Sequence, residues 1–109
     1  MNATVAIVIA GDVNAGHALA VAALQRGQRV LVVLGSADAR AARGLRRSLT
    51  RAAGAEGGLL TILTDCEVVC VDGIDGVEAV VVRHTLTGRL TAVNASAFLA
   101  FDPIVHPAS

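Results

Sequence analysis

Two β-branched runs, joined by an alanine-rich segment with glycine at both of its ends, constrain this chain more than anything else in it. Thr4 to Ala10 (TVAIVIA) runs into Gly11, and Arg29 to Leu34 (RVLVVL) runs into Gly35. An unbroken apolar strand needs both faces covered, and such strands belong to parallel sheets flanked by helices. Between the runs, Asn14 to Gln25 places Ala15, Ala18, Leu19, Ala22 and Ala23 at helical spacing. Gly27 stands where a C-cap glycine belongs. Strand, helix and strand make a βαβ unit of about 30 residues, with a right-handed crossover expected.

A second helix is expected over Ala37 to Ala53, closed by the glycines at 54, 57 and 58, and Leu59 to Leu63 reads as a third strand. The pattern then changes. Glu67 to Asp72, Glu78 to His84 and Arg89 to Val93 are short strands separated by Asp72-Gly73-Ile74-Asp75-Gly76 and Leu86-Thr87-Gly88. Those breaks carry turn chemistry, so this part reads as an antiparallel meander. Ala97 to Phe101 is a last apolar strand, returning to the sheet before Asp102-Pro103. The fold class is therefore α/β. A parallel sheet carries two helices, an antiparallel β-meander and a returning last strand. Residues 1–103 form one domain, and 104–109 read as a tail.

Composition fills in what such a sheet is made of and what it excludes. Of the 109 residues, 54% are hydrophobic, with two Phe, no Tyr and no Trp, so the core is aliphatic. Nine basic residues, all arginine, balance nine acidic ones, and a formal net charge of zero argues against nucleic acid as a partner. No run approaches the roughly 18 apolar residues of a membrane span. Ala3 to Ala10 is apolar enough to imitate the centre of a secretory signal, but no positive segment precedes it. The expectation is a soluble, cytoplasmic protein. The charge is lopsided all the same. Five arginines lie between 40 and 51 and five acids between 65 and 78, which reads as a solvated helix face opposite acidic turns. Cys66 and Cys70 are too few for a disulfide framework. Four residues apart on a strand they sit roughly 13 Å from each other, so two buried small hydrophobes are expected.

The first strand–helix turn is where chemistry would sit. A helix N-terminus there aims unpaired N–H groups and a positive dipole end at whatever lies above the strand, most often a dinucleotide pyrophosphate. The dinucleotide fingerprint asks for three glycines: for the turn, for phosphate approach, and for close helix–strand packing. Here the segment is Gly11-Asp12-Val13-Asn14-Ala15-Gly16, with Val13 in the middle glycine's place and Asp12 adding a negative charge. At the end of the second strand, Leu34-Gly35-Ser36 offers no acid for a ribose, and the nearest charges are Asp38 and Arg40. The turn fits the short-chain dehydrogenase pattern at its first glycine only, and no Tyr exists to act as that family's acid. His17 reads as an exposed first-turn residue, and the spacing of His84, Asp102 and His106 matches no metal motif.

The order and spacing of these pieces resemble the pyridine-nucleotide domain of two-domain flavoproteins, most closely the thioredoxin reductase family. Family members read G-x-G-x-x-[AGS], an Ala-rich helix, a strand ending in His-Arg-Arg, and Arg-Ala three residues later. Matched from Gly11, Leu34-Gly35-Ser36 covers His-Arg-Arg and Arg40-Ala41 covers Arg-Ala. Val77 to Arg83 with Thr87-Gly88-Arg89 is similar to the family's V-x-G-V-x-[LV]-[RK]…T-G-[ED] hairpin, and Ala97 to Phe101 to its closing strand. The likeness runs from about residue 4 to 103.

That resemblance implies a Rossmann-like, three-layer NAD(P)-binding domain. The pyrophosphate would lie on the amides of Gly11, Asp12, Val13, Asn14, Ala15 and Gly16. Gly35, Ser36 and Arg40 would line the adenosine ribose, with NADP or NAD as cofactor. Departures accompany it: Val13, the loss of the arginine pair at Gly35 and Ser36, and Asp102 in place of a terminal glycine. The family's redox Cys-x-x-Cys precedes the first strand, so Cys66 and Cys70 do not replace it. The flavin domain and an FAD site are not expected within this stretch, so an oxidoreductase-related domain that is not a complete enzyme alone is expected. No residue is assigned a catalytic or metal-binding role. A flavin-bearing partner chain or domain, and a homo-oligomer, most simply a homodimer, are the implied partners. The alternative is a degenerate Rossmann domain that binds no nucleotide and serves in assembly or regulation.

Overall fold

The computed structural model describes residues 4–11, 13–35, 39–54, 59–74 and 76–101, with the backbone alone at 13–15, 39 and 101. The elements in order are β1 (Ile7–Gly11), α1 (Val13–Gln25), β2 (Val30–Val33), α2 (Ala39–Ala53) and β3 (Leu60–Leu63). β4 (Cys66–Asp72), β5 (Ala79–His84), β6 (Leu90–Asn94) and β7 (Phe98–Phe101) follow. The α/β architecture is the expected one. β3, β2, β1 and β7 form a parallel sheet in that order, while β4, β5 and β6 form a separate antiparallel sheet.

The unbroken apolar runs are explained by the layers. On one face of the parallel sheet, Ile9, Val30, Val32 and Leu60 pack on Ala20, Ala23 and Leu24 of α1 and Leu49 of α2. On the other, Val8, Leu31 and Val33 meet Cys66, Val80, Val82 and Ala95. Successive residues of β1 and β2 thus enter different cores, and neither face tolerates a polar group. Three layers result: helices, parallel sheet, antiparallel sheet.

The helical face of α1 differs from the expected one. Ala18 and Leu19 are exposed, Leu19 by 46%, and the buried line is Gly16, Ala20, Ala23 and Leu24. α1 is apolar nearly all round, so spacing alone does not choose which stripe faces the sheet. Its end does follow the sequence. Gly27 has φ 74°, its N–H donates to the Leu24 carbonyl at 3.0 Å, and Gln28 N–H donates to Ala23 O at 3.0 Å. This is a Schellman cap.

Two further local features shape the site. A bulge at Val69 shifts the β4–β5 register, so that Cys66 and Val68 pair with His84 and Val82 but Cys70 pairs with Val81. The last strand is tied back to the first at the junction of the sheets. Val5 N–H donates to Asn94 O at 2.9 Å, Ser96 N–H to Val5 O at 3.0 Å, and Val8 N–H to Ala97 O at 2.9 Å. Val5 is drawn into this junction as an isolated bridge to Ala95, which is why β1 proper begins at Ile7 rather than Thr4.

Candidate functional site

Ligands of open parallel sheets bind outside the carboxyl ends of the strands, where the strand order reverses. Here the chain steps from β1 to β2 to β3 in one direction, and β7 lies on the other side of β1. The reversal therefore falls between β1 and β7, which are in register from Val8↔Phe98 to Gly11↔Phe101. A cavity of about 250 Å³ opens there. Ala10 and Gly11, Val33, Gly35, Phe98 and Ala100 line it, and Cys66, Glu67 and Val68 of β4 close its far wall.

Gly11 ends β1 at φ 91°, a backbone conformation that side chains with a Cβ rarely adopt, and it is exposed at the cavity rim. The backbone of Val13, Asn14 and Ala15 forms the first turn of α1, whose N–H groups have no acceptor within the helix. Gly16 is buried, as close approach of helix to strand requires. Gly35 is exposed beyond β2. Arg40 is exposed in the first turn of α2 and does not line this cavity. Asp12 and Ser36 lie outside the described residues. The structure thus brings Gly11 and Gly35 to one cavity and leaves Arg40 apart from it.

Phe98, Ala100 and the Cys66–Val68 segment are wall residues that the local sequence did not single out. Phe98 and Ala100 arrive by strand pairing with β1. The start of β4 is held just beyond the end of β2 by the bond from Cys66 N–H to Leu34 O at 3.1 Å, while Leu34 N–H donates to Leu63 O, at the end of β3, at 2.8 Å. No motif marks either event. Both follow from contacts between residues far apart in sequence.

The charged and nucleophilic groups around the cavity are largely neutralised. Glu67 pairs with Arg83 directly across the β4–β5 ladder. Burial, and secondarily the Asp65 carboxylate, push the Cys66 thiol above its ordinary pKa. Its S–H donates to Thr64 O at 3.3 Å. Cys70 is exposed, which corrects the expectation of two buried cysteines. Its S–H donates to Asp72 Oδ1 at 3.3 Å, and that bond, then the carboxylate's charge, raises its pKa too. The Val69 bulge explains the difference: without it, residues four apart would share a face, and with it Cys70 moves to the solvent side. The two thiols cannot form a dithiol centre.

His17 is half-buried in the second turn of α1, not exposed in the first. Its Nε2 lies 3.3 Å from Ser48 Oγ of α2. On α2, Arg40, Arg43, Arg47 and Arg51 are exposed, the solvated stripe expected. Arg46 instead turns inward and donates from Nη1 to Leu60 O at 2.9 Å, bracing α2 on β3. Among the described residues there is no group of three or more His, Cys, Asp or Glu able to hold a metal ion. No described helix is long and apolar enough to cross a membrane.

No protein-family model matches the chain, and no curated protein matches it by sequence. Solved structures do. Thioredoxin reductase from Giardia duodenalis superposes with a TM-score of 0.64 at 18% identity over 93% of this chain. The chain shares its fold with thioredoxin reductases. The enzyme from Streptococcus pyogenes gives a TM-score of 0.62 at 19% identity over 92% of this chain. NDH2 from Plasmodium falciparum, in complex with NADH, gives 0.63 at 8% identity over 91%. The chain spans 31% of the length of each of these two thioredoxin reductases and 22% of NDH2.

Proposed function

We propose that this chain is the pyridine-nucleotide domain of a thioredoxin reductase-like flavoprotein oxidoreductase, taking NADP or NAD. The observation that carries the reading is the crevice at the β1/β7 reversal, with Gly11 at positive φ and the open first turn of α1 beside it. The pyrophosphate would accept hydrogen bonds from the amides of Gly11 to Gly16. Gly35 would lie against the adenosine ribose, with Ser36 and Arg40 beyond it. The NADH complex of NDH2, which shares the fold, supports the ligand class. Hydride leaving a nicotinamide needs an acceptor, so redox turnover requires a flavin-bearing partner chain or domain. A homo-oligomer or that partner would cover exposed apolar residues such as Ile74, Leu86 and Leu90.

A second reading, a Rossmann-like domain that binds no nucleotide and acts in assembly or regulation, draws on specific positions. In the sequence Val13 takes the place of the glycine that admits the phosphate, and Glu67, whose carboxylate is paired with Arg83, is among the residues of the crevice wall. Calorimetric titration with NADPH, NADH and ADP-ribose at low salt separates the two. Saturable binding supports the cofactor domain. Absence of heat with all three, persisting in Val13→Gly, refutes it and removes the steric explanation as well.

A further inference from the structure

A second cavity, of about 560 Å³, lies between β3 and the antiparallel sheet. Leu63, Cys66 and Val82 contribute apolar surface, and His84, Thr87, Arg89 and Thr91 supply its polar groups. The size is that of a small-molecule site, and so is the mixture of apolar surface with a few polar groups.

The polar groups share one property: each is a hydrogen-bond donor. His84 Nδ1 accepts the Thr87 N–H at 3.3 Å, so in the neutral ring the proton sits on Nε2, which is left as a donor. Thr87 Oγ1 accepts Arg89 N–H at 3.3 Å, leaving its hydroxyl hydrogen free to donate elsewhere. Thr91 adds another hydroxyl. Arg89 is exposed and has no ion pair among the described residues. Among the described residues no carboxylate lines the cavity, and the Cys66 thiol beside it is neutral. A donor-lined, singly cationic pocket with an apolar part is complementary to a ligand whose polar end only accepts.

We propose that this cavity binds a small monocarboxylate with an aliphatic or aromatic tail. The carboxylate takes the Arg89 guanidinium, with His84 and the two threonines in support. The tail rests on Leu63, Cys66 and Val82. The site is separate from the dinucleotide crevice, and its assignment does not depend on nucleotide binding. Among the described residues the two cavities share Cys66, which lines both.

The test is an amide-detected NMR titration of the whole chain with 3-phenylpropionate, using 3-phenylpropionamide as the neutral isostere. The expected result is saturable shifts at Val82, Thr87 and Thr91, with Gly11 and Gly35 moving less. The amide should bind at least about tenfold more weakly, the worth of one charge-assisted hydrogen bond. Arg89→Gln should weaken the carboxylate to the level of the amide, and Thr91→Val should give a smaller loss. Both positions are exposed, so neither change threatens the fold. Equal affinity for acid and amide overturns the proposal. So does an Arg89→Gln variant that binds unchanged, a shift pattern centred on Gly11 and Gly35, or no saturable binding of the acid.

Discussion

Leu49 offers the sharpest check on how the layers are held. Among the described residues it is the one fully buried side chain that α2 gives to the helix-side core, a cluster it shares with Ile9, Leu24, Val32 and Leu60 and against which Leu45 and Ala53 also pack, partly buried. Leu49→Ala removes its buried branched end and leaves a hole between helix and sheet. Core Leu→Ala changes cost roughly 2 to 5 kcal/mol, so about 3 kcal/mol is expected. Unfolding entropy near ~2.1 cal/mol/K per residue, over 109 residues, gives about 0.23 kcal/mol/K. The melting temperature should then fall by about 13 °C. With a urea slope of about 1.5 kcal/mol/M, the midpoint should drop by about 2 M. Because the chain lacks Trp and Tyr, far-UV circular dichroism is the signal to follow. Leu19→Ala is the matched control. At 46% exposure it should change stability by no more than about 0.5 kcal/mol. If the two variants lose the same amount, α2 does not pack on the sheet through Leu49, and the account of the helix layer is wrong.

Three further outcomes are expected. Iodoacetamide should alkylate Cys70 well before Cys66 in the folded chain, and mild oxidation should form no internal disulfide. Mass spectrometry of tryptic peptides reads both results, and a Cys66–Cys70 crosslink would contradict the bulged register. Stability should also decline on the alkaline side. The folded state holds the Cys66 thiol neutral with a raised pKa, so its contribution is intact below the ordinary thiol value and is lost as pH climbs through the raised one. With no Tyr and no Lys in the sequence, the other side chain with a raised pKa there is the Cys70 thiol, so Cys66 is one of two contributors. Cys66→Ala should flatten the decline in urea midpoint, and parallel slopes in both proteins would rule this cause out. Finally, two glycines should respond in opposite directions. Gly44 lies inside α2 with open space where a Cβ would go, so Gly44→Ala should stabilise by about 1 kcal/mol. At Gly73, φ is 157° and a Cβ would run into the Gly76 carbonyl, so Gly73→Ala should destabilise in the same thermal melts.

The fold was legible in the sequence because its strongest signals are local. Val8, Ile9 and the run from Val30 to Val33 are apolar without interruption because both faces of their strands are covered. A chain that must bury such runs has few alternatives to a parallel sheet between two layers. Gly27 marks the end of α1 through a φ that only glycine adopts easily. The turn residues between Asp72 and Gly88 mark the meander in the same way. Gly11 likewise pointed to the crevice through its own backbone geometry.

Other features were decided only when distant segments met. The stripe of α1 that faces the sheet is Ala20, Ala23 and Leu24 rather than Ala18 and Leu19. In a helix apolar on every side, packing makes that choice and periodicity does not. The Val69 bulge sends Cys66 inward and Cys70 outward, although even spacing places them on one face. Phe98 reaches the crevice by pairing with β1, and Cys66 and Glu67 reach it because β4 is pinned just beyond the end of β2. The donor-lined second cavity draws on β3, β4, β5, β6 and the turn between the last two. Backbone conformation is written residue by residue, whereas a cavity wall is a relation between strands, and only tertiary pairing assembles it.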